Sequence, residues 1–281
     1  MKWNVYAETE GYSEKVEALL YEHEDKYSLF LGILNQIKLG HYEDYFLALA
    51  EDEEKVVAAC LMTPPHPLQL IDFRGDVPEI ESDLASLLLT SGIEVNGIVG
   101  DRETANRFAL VWAAETGQKA HLLMDQGLYR ADAVEARLEK SDGSWRVANK
   151  KDAPLLEEWC LLFEAETGIQ VSTAAEAAWK IDAFIEGKEI YVWEVEGEVV
   201  SCMKKSRPSR HGITVSFVFT PPKHRRKGYG RTLVAEVTEE LLLEYDFVML
   251  YTDLKNPTFN KIYRESGYEQ IANPVHVVFK E

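Results

Sequence analysis

The sequence predicts an α/β chain of two similar halves, each a mixed, mostly antiparallel central sheet flanked by helices. Strand-like and helix-like segments follow one another along the whole chain. Their order in the first half recurs in the second. The composition also changes near residues 136–143, where charged residues surround the turn signal Asp142-Gly143. We therefore expect two domains, 1–138 and 139–281.

Composition narrows the class of protein. The 281 residues are 46% hydrophobic, enough to bury a sizeable core. An apolar run of about eighteen residues is missing and the N-terminus is polar, so we expect neither a membrane span nor a signal peptide. Three widely spaced cysteines favour a reduced, cytoplasmic protein. The seven histidines lack metal-ligand spacing, so we expect no metal.

Charge is unevenly distributed. The formal net charge is -18, of which residues 1–139 carry -15 (11 Lys+Arg against 26 Asp+Glu) and residues 140–281 carry -3 (19 against 22). Such a field repels nucleic acids and anionic membranes, so neither is an expected partner. The acidity either keeps the protein soluble or recruits a cationic substrate. We expect a monomer or a homodimer.

The second half begins with a strand and two helices. "WRVANK" is the strand. Asp152 is positioned to cap a helix that runs to Thr167 and ends at Gly168, and Ser172 or Thr173 to cap a second helix through Glu186. A three-stranded meander follows: "EIYVWEV", "EVVSCMKKS" and "GITVSFVFT".

Beyond the meander, a basic loop leads into a helix that ends near Tyr245. "FVMLYT" is an apolar strand, and "NPTFNKIYRESG" is a short helix with Pro257 at its first position and Gly267 past its end. "YEQIA" and "VHVVF" are closing strands.

The first half shows a similar order. We expect two helices between Ser13 and Gly40, a hairpin in "YFLALAEDEEKVVAACLMTPP" and a third strand in "HPLQLID". The later segments are a helix, a strand, a helix and a strand: "VPEIESDLASLLLTSG", "VNGIVG", "RETANRFALVWAAETG" and "KAHLLMDQGLYRAD". This recurrence favours a duplicated domain.

The basic loop "TPPKHRRKGYGRTLV" gathers five cations in an acidic chain. Glycines let the backbone approach a ligand closely, and the first N–H groups of a helix have no intrahelical partner. Together with the helix dipole they form an anion cradle, and we expect a pyrophosphate there. Neither GxxxxGK[ST] nor a GxGxxG after the first strand of a βαβ unit is present. A solvated basic loop with a glycine hinge is the alternative.

Two motifs in this order resemble the GNAT superfamily of N-acetyltransferases. The first is Arg225-x-x-Gly228-x-Gly230. The second is Asn256 followed by Tyr263 and then Gly267-Tyr268. The resemblance covers most of residues 144–281 and implies an acetyl-CoA-dependent enzyme that acetylates an amine of a small molecule or peptide by direct attack. It makes the chain a tandem form whose N-terminal domain is degenerate.

The resemblance also assigns roles by position. The strand end lines the pantetheine arm and the acetyl group, and Tyr263 is the general acid that protonates the departing thiolate. Asn256 and Asn260 reach the pantetheine amides. The strand-end residues are Val218, Phe219 and Thr220, and the diphosphate residues are Arg225, Arg226, Lys227, Gly228, Tyr229, Gly230 and Arg231.

The general base stays open. Family members often place a glutamate on the strand before the loop, where this chain has Thr214 and Ser216. A water relay could substitute, and so could Glu194, Glu164, Glu166 or Asp253. A non-catalytic CoA-binding sensor or scaffold is the alternative function.

The first half has no RxxGxG. Its corresponding loop is acidic and would repel a pyrophosphate, so we expect it to lack the cofactor site. The acidic residues there are Asp72, Asp76, Glu79 and Glu81.

Overall fold

The computed structural model describes residues 1–75, 79–168 and 171–281. Residues 1–131 hold β1 (Lys2–Tyr6), α1 (Thr9–Tyr21), α2 (Ser28–Lys38), β2 (Phe46–Asp52), β3 (Lys55–Met62), β4 (Leu68–Asp72), α3 (Ile80–Thr90), β5 (Gly97–Gly100), α4 (Arg102–Thr116) and β6 (Lys119–Ala131). The remainder holds β7 (Ser144–Val147), α5 (Ala153–Thr167), α6 (Ala174–Glu186), β8 (Ile190–Val195), β9 (Glu198–Ser206), β10 (Gly212–Phe219), α7 (Tyr229–Leu241), β11 (Phe247–Asp253), α8 (Pro257–Glu265), β12 (Glu269–Ala272) and β13 (Val275–Lys280).

The residues pack into two compact units that are not simply consecutive. The first comprises 1–128, 252–256 and 270–281, and the second comprises 129–251 and 257–269. Strand β13 is therefore part of the first unit, paired with β5 on one side and β6 on the other. The division into domains 1–138 and 139–281 describes sequence segments and stays a prediction.

The same ten-element order, β1 to β6 and then β7 to β12, occurs twice. Strand order in the first unit is β1-β2-β3-β4-β5-β13-β6, and in the second it is β7-β8-β9-β10-β11. One pair in each is parallel, β4 with β5 and β10 with β11, and the other neighbouring pairs in these two strand orders are antiparallel. This confirms the predicted fold class.

Each sheet is covered by helices on both faces. In the first unit α1 and α2 bury Tyr12 and Leu31 on one face, and α3 and α4 bury Leu84 and Phe108 on the other. In the second unit α5 and α6 form one apolar layer and α7 the opposite one, which we call the α5/α6 face and the α7 face. Among the described residues no helix is long and apolar enough to cross a bilayer.

Helix ends follow the predicted chemistry with one correction. Thr173 and Glu176 form a reciprocal capping box at the start of α6, and Gly168 ends α5 in a left-handed conformation. The predicted cap by Asp152 is wrong: its side chain makes no capping bond to α5. Its carboxylate accepts from both terminal nitrogens of Arg146, at 2.7 and 2.9 Å, and that stronger charged pairing displaces the cap.

Candidate active site

Strand β10 leaves its parallel partner partway along its length. The register with β11 runs from Gly212 opposite Phe247 to Val215 opposite Leu250. On its other edge the register with β9 shifts between Ser216 and Phe219. Phe217 lies in that shift with a φ of +48°, a conformation that side chains rarely adopt. A bulge of this kind bends a strand and re-aims its groups; we call residues 216–219 the β10 bend.

The bend directs backbone groups at Val218 away from β9. Phe219 is the residue opposite Cys202 of β9, and its carbonyl accepts from the Ser201 hydroxyl on the β9 side at 3.0 Å. Backbone polar groups alternate along a strand, so the N–H and C=O of Val218 point to the edge facing β11. The side chains of Val218 and Phe219 are buried in the α7 face and the α5/α6 face respectively. Of these two residues, therefore, only Val218 directs its backbone groups toward the β11 edge.

The basic loop ends in an uncapped helix N-terminus. Gly228 precedes α7 with a φ of +81° and no side chain caps the helix. The first intrahelical bond runs from the Thr232 N–H to the Gly228 carbonyl, so the N–H groups of residues 229–231 have no partner within the helix. A Cβ on Gly228 would lie 2.6 Å from the Ser141 hydroxyl, and one on Gly230 would lie 2.9 Å from the Thr220 hydroxyl. A side chain at either position would therefore force a hydroxyl group to move.

The five cations have different surroundings. Arg226 and Lys227 are exposed, and among the described residues neither makes an ion pair. Arg225 donates from Nε to the Thr220 carbonyl at 2.8 Å and from Nη2 to the Glu166 carboxylate at 2.6 and 2.9 Å. Its Nη1 makes no hydrogen bond to another described residue.

The other two cations are bound to neighbouring residues. Arg231 donates to the Glu139 carbonyl and to Glu265, and Lys223 pairs with Glu198. Tyr229 begins α7, with the Lys227 ammonium 5.8 Å from its ring centre. The loop is therefore an anion cradle of free N–H groups and two exposed cations, with Arg225 partly committed.

Tyr263 is buried on α8 and is 6% exposed. Its ring stacks on Phe259 and meets Tyr268 edge-on, both at 6.1 Å between centres. Burial raises the pKa of the Tyr263 phenol, so it stays protonated at neutral pH. Tyr263 and Val218 share one buried cluster. The Tyr268 hydroxyl, in contrast, is bonded to Thr238 at 2.6 Å.

The two asparagines lie at and just before α8. Asn256 precedes the helix, and its N–H donates to the Asp253 carbonyl at 3.0 Å. It belongs to the 252–256 segment of the first unit. Asn260 is 4% exposed within α8, and its backbone carbonyl accepts a hydrogen bond from Arg264 Nε at 3.1 Å. The predicted contacts of both with a pantetheine arm stay predictions.

The candidate bases are engaged elsewhere. Glu194 accepts from Arg146 at 2.8 Å, and Glu166 is held by Arg225. Glu164 accepts from the Ser172 N–H at 2.7 Å and from Lys180 at 3.0 Å. Burial by itself raises the pKa of Glu164, but Lys180 and Ser172 outweigh it, so the pKa is lowered overall.

The two residues in place of the expected glutamate are hydroxylic. Ser216 shares a 3.3 Å contact with Ser206, and Thr214 is buried. Asp253 accepts from the N–H of Lys255 at 2.8 Å. The identity of the base is therefore not fixed by geometry.

Sequence reasoning missed the contacts that support the loop from a distance. Ser141 donates to the Lys227 carbonyl at 2.9 Å, and its N–H donates to Thr232. Ser141 lies within the predicted domain boundary, 136–143, and nothing in its local pattern points to the loop. Ser201 of β9 was also missed, because nothing in the local pattern of that strand points to the loop.

The corresponding position in the first unit holds an ion-pair cluster. Arg107 of α4 donates to Glu81 at 2.6 Å and to Asp72 at 3.1 Å. Asp72 also accepts from the N–H groups of Arg74 and Gly75. Glu79 precedes α3 with a φ of +65°, and Asp76 lies outside the described residues. The carboxylates of Asp72, at the end of β4, and Glu81, in the first turn of α3, are thus paired with Arg107.

The second unit therefore has a mixed sheet between helices, a parallel pair whose register ends at the β10 bend, and a helix that is entered through Gly228. Residues 155–268 match the model of the Acetyltransferase (GNAT) family. A comparison with curated proteins gives no match.

Solved structures of the same fold cover almost the whole chain. A GCN5-related N-acetyltransferase from Sphaerobacter thermophilus has a TM-score of 0.66 at 14% identity, covering 99% of this chain and 95% of that one. A GNAT-family acetyltransferase from Colwellia psychrerythraea has a TM-score of 0.60 at 15% identity, covering 100% of both. A tandem GNAT protein from the clavulanic acid biosynthesis pathway has a TM-score of 0.58 at 11% identity, covering 100% of this chain and 98% of that one. At such identities the likeness establishes the fold, here a tandem one.

Proposed function

We propose that the protein is an acetyl-CoA-dependent N-acetyltransferase that transfers the acetyl group to an amine of a small molecule or peptide. One observation carries the proposal: α7 has no side-chain cap among the described residues, is entered through left-handed Gly228, and is joined to the β10 bend by the basic loop 220–228. Exposed Arg226 and Lys227 add positive charge beside this helix end, and the backbone of Val218 in the bend supports binding of an amide-bearing arm. A diphosphate attached to an amide-bearing arm satisfies both features.

The donor would bind along this path. Its diphosphate accepts from the N–H groups of residues 229–231 and pairs with Arg226 and Lys227. The pantetheine amides bond the N–H and C=O of Val218 as an added strand would. The residues are suited to this because Gly228 and Gly230 leave the backbone bare where the phosphates approach.

The transfer itself is a direct attack. The amine nitrogen forms a bond to the thioester carbonyl carbon. A backbone N–H at the end of β10, close to Phe219, stabilises the oxyanion that results, and the C–S bond then breaks. The electron pair of that bond leaves on sulfur, and Tyr263 gives its proton to the thiolate. The proton lost by the attacking amine passes to solvent, from which Tyr263 is reprotonated. Burial keeps Tyr263 protonated, which a general acid requires.

A second candidate is a non-catalytic CoA-binding module that senses or scaffolds. The observation that favours it is the pairing of Glu194, Glu164 and Glu166 with cations, which leaves none of these three carboxylates free to act as a base. Under the first proposal the acceptor is deprotonated through water instead.

Calorimetry and turnover separate the two. Both predict that acetyl-CoA binds, and only the acetyltransferase releases free CoA when amines and amine-bearing antibiotics are added. Binding without thiol release across the panel supports the sensor, and absence of binding excludes both functions.

We also propose a reducing compartment such as the cytoplasm, since Cys60, Cys160 and Cys202 are unpaired and buried.

A further inference from the structure

Two consecutive residues of β9, Ser201 and Cys202, contact the β10 bend from opposite faces of the sheet. Ser201 is opposite Trp193, which packs on the α7 face. Cys202 is opposite Val192, and both pack on the α5/α6 face. Consecutive side chains of a strand point to opposite faces, so the two residues enclose the bend between them.

Ser201 holds the end of the bend on the α7 face. The residue is 0% exposed, and its hydroxyl donates to the Phe219 carbonyl at 3.0 Å. It also lies 2.9 Å from the Thr220 hydroxyl, from which it can accept. The Thr220 hydroxyl in turn limits the space at Gly230, where a Cβ would come within 2.9 Å. Ser201 thus links the bend to the first turn of α7.

Cys202 contacts the other end of the bend. Its Sγ lies 3.8 Å from the carbonyl oxygen of Phe217, which is the residue with the left-handed φ. Burial raises the pKa of the thiol well above its usual range, and the nearby Phe219 N–H offsets this only in part. The group is therefore a neutral thiol, which can donate to the Phe217 carbonyl and remain inert to oxidants.

We propose that Ser201 and Cys202 are positioning residues of the donor site, which hold the β10 bend so that the backbone of Val218 faces the pantetheine arm. The proposal rests on the proposed function. Neither residue touches the donor; both act through the backbone of residues 217–220. A bend that contains an unfavourable φ relaxes when its supporting contacts are removed.

The test compares S201A with S209A. Ser209 makes an equivalent bond, from its hydroxyl to the Gly212 carbonyl at 3.0 Å, at the opposite end of β10. Hydrogen exchange of the backbone amides of residues 216–221 reports the bend without any cofactor. Dissociation constants for acetyl-CoA and for S-acetyl-pantetheine, which lacks the diphosphate, report the donor site. C202A and C202S repeat the test from the other face of the sheet. Alanine removes the donor to the Phe217 carbonyl, whereas serine retains one.

We expect S201A to speed exchange at residues 216–221 and to weaken both donors equally, by about five- to twentyfold, the effect of one lost buried hydrogen bond. S209A should match the wild type in both measurements. C202S should lie between C202A and the wild type. In K227Q, by contrast, only acetyl-CoA should be weakened, because that side chain lies at the diphosphate.

Unchanged exchange and affinity in S201A overturn the proposal, as does an equal loss in S209A that tracks the melting temperature. If S201A does not fold, the comparison of C202A with C202S decides in the same way. If the wild type binds neither donor, the proposed function fails and the positioning role with it. The exchange data still show whether the two contacts hold the bend, so the two failures are distinguishable.

Discussion

The Glu166 carboxylate holds Nη2 of Arg225 through both of its oxygens, at 2.6 and 2.9 Å. Glu166 is in the last turn of α5, and Arg225 is the first residue of the loop motif. Both side chains are nearly half exposed, at 45% and 43%. A diphosphate bound at the loop would meet a guanidinium that already has an anionic partner.

The first prediction concerns that competition. Glu166→Gln removes the competing charge, so CoA should bind about two- to fivefold more tightly at low salt, the scale of an exposed ion pair. The gain should shrink in 1 M salt, where charges are screened within about 3 Å. Titration calorimetry at two ionic strengths measures this. Glu158→Gln, an exposed charge change on the same helix, is the control. Weaker binding by Glu166→Gln would mean that Glu166 orders Arg225 for the phosphate.

The second prediction uses two left-handed glycines. Gly228 has a φ of +81° and the Ser141 hydroxyl 2.6 Å from its Cβ position, whereas Gly168 has a φ of +66° and nothing within 4 Å. Alanine at either position incurs the left-handed penalty of about 1–2 kcal/mol. Only Gly228→Ala should also weaken the binding of CoA, by about tenfold or more, because the added methyl group displaces a contact to the anion. Equal CoA affinity in both variants would separate the loop from the cofactor.

The third prediction is one acetyl-CoA per chain. In the second unit α7 begins next to exposed cations, whereas in the first unit the end of β4 and the first turn of α3 carry Asp72 and Glu81, both bound to Arg107. Calorimetric stoichiometry should be one. The double variant Arg225→Glu with Gly228→Asp should bind none. Residual binding in that variant would place a site outside the second unit.

Local chemistry made most of the fold predictable. The capping box at Thr173, the left-handed Gly168 and the alternating strands each depend on residues within a few positions of one another. Strand β1 was not predicted, because "KWNVY" is short and mostly polar and is recognisable only from its pairing with β2. Asp152 was misassigned because its partner, Arg146, competes with the cap.

In the candidate site, too, the features that depend on nearby residues could be predicted and those that depend on distant partners could not. The loop, its glycines and Tyr263 follow from motif and spacing. Ser141 and Ser201 could not be predicted, because each acts on a backbone carbonyl at least eighteen residues away in the chain, 86 for Ser141 and 18 for Ser201. The pairing of Glu166 with Arg225 is equally non-local, at 59 residues. Pattern reasoning names residue types and does not determine which distant partners they meet.

The fourth prediction is a pH dependence of stability from Glu164. Burial alone raises its pKa, but Lys180 and Ser172 prevail and the pKa in the folded state is lowered. A lowered folded-state pKa contributes stability above the unfolded value of about 4.3 and loses it as pH falls through the folded-state pKa. The free energy of unfolding should therefore fall on acidification more in the wild type than in Glu164→Gln. Lys180→Met should flatten the dependence similarly, and parallel curves would exclude Glu164 as its source.

The final prediction compares Tyr263 with Tyr268, two buried tyrosines whose rings touch. The Tyr268 hydroxyl shares a hydrogen bond with the Thr238 hydroxyl, which links α7 to the end of the second motif. The Tyr263 hydroxyl makes no hydrogen bond to another described residue. Phenylalanine preserves both rings, so each variant removes only a hydroxyl from a similar environment. The pair therefore separates an acid from a packing residue.

If Tyr263 protonates the leaving thiolate, Tyr263→Phe should lower kcat by roughly a hundred- to ten-thousandfold. The Michaelis constant for the donor should change little, because the bond to sulfur strengthens only in the transition state. The basic limb of the pH profile should shift or vanish, since it reports loss of the phenolic proton. Tyr268→Phe should lower the melting temperature and leave kcat near the wild type. Wild-type turnover in Tyr263→Phe, with chemistry rate-limiting, would mean that the thiolate leaves unaided or takes its proton from water.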